Sequence, residues 1–124
     1  MSTTAEPTFW YKILDAPPPN PLPETLPSTR LDAKDGFIHL SSASQVPITA
    51  SLFFAQADRL WMLKLRREKL DGRVEYPPEL GKSAPHLHES AKGLGQANIE
   101  QVIEMKRGDG QDWKEVTQMK ALEG

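Results

Sequence analysis

Cysteine is missing from the sequence altogether. Its absence excludes a disulfide framework, a thiolate zinc site and a cysteine nucleophile, and it fits a reducing compartment. Long hydrophobic runs are missing too, since none approaches the roughly 20 residues needed to span a bilayer. The N-terminal stretch Met1-Ser2-Thr3-Thr4-Ala5-Glu6-Pro7 has no basic region followed by an apolar one, so no secretory signal is read there. Charge of one sign is also lacking. Fifteen basic against 17 acidic residues leave a net charge of -2 with both signs interspersed. No clustered basic face is available for DNA or RNA, although a small local RNA site stays open. Glycine-rich phosphate loops, nucleophile elbows and paired-carboxylate signatures are absent. These absences describe a soluble protein, expected in the cytoplasm, whose partner is a small molecule or nucleotide rather than DNA or a membrane. They leave the oligomeric state unknown.

What is present suits one domain over residues 1–124, long enough to bury a core without disulfides or a metal. Thr8 to Leu14 is rich in aromatic and β-branched residues and reads as a strand. Residues 15–28 carry Pro17, Pro18, Pro19, Pro21, Pro23 and Pro27. Proline fixes φ and removes a donor, so this segment cannot join a ladder and reads as a surface spacer of polyproline character, with a lid over a pocket as the sharper alternative. Gly36 to Leu40 reads as a second strand, followed by serines 41, 42 and 44 as N-caps of a helix through Val46, Ala50, Phe53, Phe54 and Ala57. Leu60 to Leu65 reads as a central strand, and Arg73 to Tyr76 and Val102 to Met105 as two more. Residues 77–98 read as mostly irregular. In the tail, 106–124, Trp113, Val116 and Met119 fall at helical spacing. Strands, one main helix and long connections without regular alternation give a strand-rich α+β class and argue against a doubly wound parallel sheet.

The chemistry centres on histidine, the one side chain that titrates near neutrality without perturbation. His39 lies on a strand, and His86 and His88 flank Leu87. If residues 86–88 are extended, both imidazoles face one side. Three readings follow: exposed loop histidines, a three-histidine metal site completed by His39, or an acid/base or ligand-binding role with His39 best placed. Ser41 and Ser42 near a helix start suit either capping or an anion. Glu75, between Val74 and Tyr76, faces solvent or a pocket, where it would take a proton or stabilise a cationic transition state.

The run Asp35-Gly36-Phe37-Ile38-His39-Leu40-Ser41, followed by Gln45-Val46 and Thr49-Ala50, resembles the domain-of-unknown-function family 952. The likeness starts at Tyr11-Lys12-Ile13, takes in Thr29 and Asp32, and continues through residues 60–65, Glu75 and Pro85-His86-Leu87 to Met105. That family commonly has tyrosine after Pro-His-Leu, where this chain has His88, and phenylalanine at the position of Ala84. The family resembles the ADP-ribosyltransferase fold, a split, strand-rich α+β domain that clasps NAD. The resemblance implies that His39 acts on a ribose hydroxyl, that Glu75 supports an oxocarbenium-like centre and that His86 lines the cleft. Thr29, Asp32, Ser41, Tyr76 and His88 are then the substrate-binding candidates, NAD is the substrate, and no metal is assigned. The implied activity transfers or hydrolyses ADP-ribose. Two alternatives stand beside it: an isomerase, cyclase or lyase using the same histidines, and a nucleotide-binding module without catalysis.

Overall fold

The computed structural model describes residues 6–124, so the reading of Met1 to Ala5 as free of a secretory signal lies outside it. Two three-stranded antiparallel sheets form the frame. The first has the order β1 (Phe9–Leu14), β3 (Arg59–Arg66), β6 (Ile99–Lys106). The second has the order β2 (Ile38–His39), β5 (His86–His88), β4 (Arg73–Glu75). A backbone bridge joins them, Tyr11 and Ser41 exchanging N–H···O bonds of 2.9 Å in each direction.

The first sheet is covered on both faces, which explains why β1 and β3 read as nearly continuous apolar runs. One face carries Phe9, Tyr11, Ile13, Leu60, Met62 and Met105. It packs against Val46 and Ala50 of helix α2 (Val46–Phe53) and against Trp113, Val116 and Met119 of the tail. The opposite face carries Trp10, Leu63 and Leu65 and meets Leu40, Leu87 and Leu94, with Ile38 and Val74 at its margin. Leu60, Met62, Leu63 and Leu65 are fully buried, each contributing on the order of 1.5–3 kcal/mol by removal from water. The second sheet therefore has an inner face on this core and an outer face turned away from it.

Several local expectations need correction. A short helix, α1 (Arg30–Asp35), stands where no helix was read. Thr29 caps it by accepting from the Asp32 N–H at 3.2 Å, and Gly36 closes it with φ of 81°, a left-handed conformation that glycine adopts freely. Gly36 is thus a helix cap, and the strand after it shrinks to two residues. Helix α2 ends at Phe53 rather than running to Ala57, and Phe53 is 76% exposed, while Phe54 and Ala57 pack against the core from beyond the helix end. No serine caps α2: Gln45 holds the N-cap position without a side-chain bond. The tail forms a 3-10 turn, Trp113–Glu115, with a capping box between Asp112 and Glu115, and then α3 (Thr117–Lys120).

Residues 15–28 contain no helix or strand. They do not hang free in solvent as a spacer would. Leu26 N donates to Leu94 O at 2.7 Å, Gln96 N to Pro23 O at 3.1 Å, and Thr25 Oγ1 to Lys92 O at 2.8 Å. The segment is stitched to residues 92–96, and its far end lines a cavity described below. Among the described residues no helix is long and apolar enough to cross a membrane.

Candidate functional site

The outer face of the second sheet gathers the histidines. In its register His39 lies opposite His86, His86 lies opposite Glu75, and His88 lies opposite Arg73. Because side chains alternate along a strand, these residues share one side, while Ile38, Leu87 and Val74 point to the core. Phe37 joins them: its ring centroid is 4.3 Å from His86, stacked, 4.5 Å from His39 and 4.8 Å from His88. The His39 and His86 rings meet edge-on at 5.3 Å. Phe37 lies against all three imidazoles, and among the described residues no group of three or more His, Cys, Asp or Glu is arranged to hold a metal ion.

His39 is the most constrained of the three. Its Nδ1 lies 2.7 Å from Asp32 Oδ1, and its backbone N–H donates to the same oxygen at 3.1 Å. Its Nε2 lies 2.9 Å from Asp35 Oδ2. Two carboxylates, one at each ring nitrogen, are both satisfied when each nitrogen carries a hydrogen. The other Asp32 oxygen takes the Lys12 ammonium at 2.6 Å, and Lys12 also donates to the His39 carbonyl at 3.0 Å. Lys12 and Asp32 are both buried, with side chains 7% and 5% exposed. Burial alone would raise the Asp32 carboxyl, but the Lys12 charge and hydrogen bonds from Lys12 and His39 outweigh it and hold the group below its usual range. Asp32 is thus a fixed anion that orients the His39 ring. Burial pushes the His86 imidazole down, and the neighbouring His39 and His88 add to the effect against a smaller opposing pull from Asp35. The neutral form of His86 is favoured accordingly.

The other sequence candidates divide. His88 joins the cluster, with Nε2 3.7 Å from Glu75 Oε1. Glu75 is half exposed and ion-paired to Arg73, which also binds Glu89 at 3.1 Å, so its carboxylate is engaged. Thr29 uses its hydroxyl to cap α1 and faces the cavity on the other side of the sheet. Ser41 is buried in the bridge to Tyr11, and Ser42 N donates to Ser83 O at 2.9 Å, so these backbone donors are spent and offer nothing to an anion. Tyr76 packs against the inner core cluster and not among the histidines.

Three members of the site escaped the sequence reading. Lys12 is a charged residue within an apolar strand, a pattern that signals a buried partner. Asp35 precedes His39 by four residues, and only the capped helix α1 turns it back to Nε2. Phe37 sits two residues before His39 and so shares its side. Thr29-x-x-Asp32 followed by Gly36 was the available signal for the helix that places both aspartates.

Fold and site together define a small α+β protein of two antiparallel sheets with a histidine-lined outer face. Residues 22–105 match the family described as "Protein of unknown function (DUF952)", and the chain belongs to that family. Among solved structures it is similar to protein CC0527 of Caulobacter crescentus, determined by X-ray crystallography. The two are 26% identical and superpose with a TM-score of 0.55, over 78% of this chain and 85% of that one. None of the curated proteins matches the chain.

Proposed function

We propose that the outer face of the second sheet binds a ribose-bearing nucleotide of the NAD class and acts on it by histidine acid/base chemistry, transferring or hydrolysing ADP-ribose. The observation that carries this reading is the row Asp32–His39–His86: a ring fixed by a buried carboxylate, beside a second ring that stays neutral. Asp32 holds Nδ1 and leaves Nε2 as the working nitrogen, the usual division of labour in a carboxylate–histidine pair. Asp35 is the exposed partner at Nε2, so a ligand hydroxyl displaces it with little rearrangement and gains a bond to His39. His86, unprotonated near neutrality, then takes the proton that the reaction releases. Phe37 supplies a flat apolar surface at the same place. Glu75, which the family resemblance makes the support of the cationic centre, must exchange its Arg73 partner to serve.

The edge-on contact between His39 and His86 also favours a second reading, an isomerase, cyclase or lyase that moves a proton between two atoms of a small metabolite. Incubation with NAD, with nicotinamide release followed by chromatography, separates the two. Release that is lost in both His39→Ala and His86→Ala supports ADP-ribosyl chemistry. Release that persists unchanged in both variants sinks it. NAD binding without release makes the face a binding module.

A further inference from the structure

Behind the histidine sheet, on the inner side of β2 and β5, the protein holds a cavity of about 380 Å³, within the range of small-molecule sites. Leu14, Leu26, Ile38, Leu63, Leu87 and Leu94 form its apolar wall, and Thr25, Ser28, Thr29, Glu89 and Ser90 bring polar groups to its rim. The proline-rich segment closes one side through Leu26 and Pro27 and is held there by its bonds to residues 92–96, so the walls are preformed. Ala33 of α1 and Ala91 line its margin, and both are exposed.

The floor is polar. Lys12 and Asp32 both line the cavity, and both are buried. An ammonium has three N–H donors. One goes to Asp32 Oδ2 at 2.6 Å and one to the His39 carbonyl at 3.0 Å, which leaves the third for an acceptor in the cavity that Lys12 lines. An acceptor placed in the cavity against it makes a hydrogen bond to a charged group, stronger than one between neutral groups. The charge of that floor is already balanced. A ligand carboxylate would bring a second anion beside Asp32, and a ligand amine would face Lys12 with like charge.

We propose that this cavity binds a small, neutral, mostly apolar molecule carrying one acceptor oxygen, such as an amide, ketone, ester or lactone, and that the oxygen takes the third N–H of Lys12. The cavity adjoins the histidine face, since Phe37 lines it as well as lying against the imidazoles, but the proposal does not depend on that face's chemistry. The two share Asp32, which holds Lys12 with one oxygen and His39 with the other.

The test is an amide ¹H–¹⁵N NMR titration of the full chain with hexanamide, hexylamine and hexanoate, which share one apolar tail and differ in head group. Hexanamide gives saturable shifts at Leu26, Ala33 and Ala91 and binds at least tenfold tighter than the other two. Ala33→Trp and Ala91→Phe fill the margin from exposed positions that the fold tolerates, and each weakens hexanamide at least tenfold. No saturable shift, equal affinity for the three head groups, or wild-type binding in both variants overturns the proposal.

Discussion

Asp32→Asn removes the charge from the one buried anion that both Lys12 and His39 depend on, while keeping the size of the side chain. The Lys12 ammonium, 7% exposed, then stands buried without a counter-ion, and Nδ1 of His39 loses its carboxylate. Breaking a buried, hydrogen-bonded ion pair from one side costs about 3–5 kcal/mol. Asparagine still offers one oxygen to the His39 N–H, so the low end applies, and a loss of about 3 kcal/mol lowers Tm by about 10 °C for a chain of this size. Urea and thermal unfolding at pH 7 measure it. Lys12→Met combined with Asp32→Asn leaves neither charge of the buried pair, so the double variant recovers most of the stability, with a coupling of at least about 2 kcal/mol. The pH dependence has a definite sign. Asp32 titrates lower in the folded state than in the unfolded one, so its contribution is complete above its unfolded pKa of about 4 and is lost as pH falls through the folded value. Asp32→Asn flattens that part of the stability profile. A loss below about 1 kcal/mol, or a double variant that merely sums the two singles, refutes the account of the pair.

His86 is held low by burial first and then by His39 and His88, so its NMR titration midpoint lies below the usual histidine value. His39→Ala removes one of these influences and raises that midpoint, and an unchanged or lower one contradicts the assignment. Folding stability contributed by neutral His86 is complete above about pH 6.5 and falls as pH drops toward the folded value. Tyr11 donates to the Glu123 carbonyl at 2.6 Å and is pushed up to about 12 by burial and by the Glu123 charge. Ultraviolet titration therefore shows a late phenol step that Tyr11→Phe removes; the stability tied to the neutral phenol is complete below about pH 10 and is lost between there and about 12. Gly95→Ala drives its new methyl into the Glu24 carbonyl, backbone against backbone, and costs about 1–3 kcal/mol in urea unfolding while freeing the proline-rich segment.

The pattern of apolar residues carried the strands well. β1, β3 and β4 lie where their aromatic and β-branched runs place them, because burial on one or both faces leaves a direct mark on composition. β6 begins three residues earlier than its apolar stretch, since Ile99 to Gln101 pair along an edge where polar side chains are tolerated. Helix α1 was hidden because six residues carry too few apolar positions to show a period, and only its caps announce it. The docking of residues 15–28 was hidden for a different reason. Proline removes ladder bonds, but Leu26 N still donates to the Leu94 carbonyl, and Gln96 to the Pro23 and Leu22 carbonyls, across some 70 residues of chain, which no local rule reads. At the site, the alternation rule placed His86 and His88 on one side from their spacing. That His39 pairs across from His86, and that two aspartates hold its ring, is long-range register and helix geometry, which only the folded chain displays.

Calorimetric titration with NAD tests the proposed nucleotide site on the His39 face. Wild-type protein, His39→Ala and the cavity variant Ala33→Trp are titrated side by side. The expected result is saturable binding to wild type, at least tenfold weaker binding to His39→Ala, and an unchanged affinity for Ala33→Trp. No heat with any of the three, or equal affinity for wild type and His39→Ala, contradicts it.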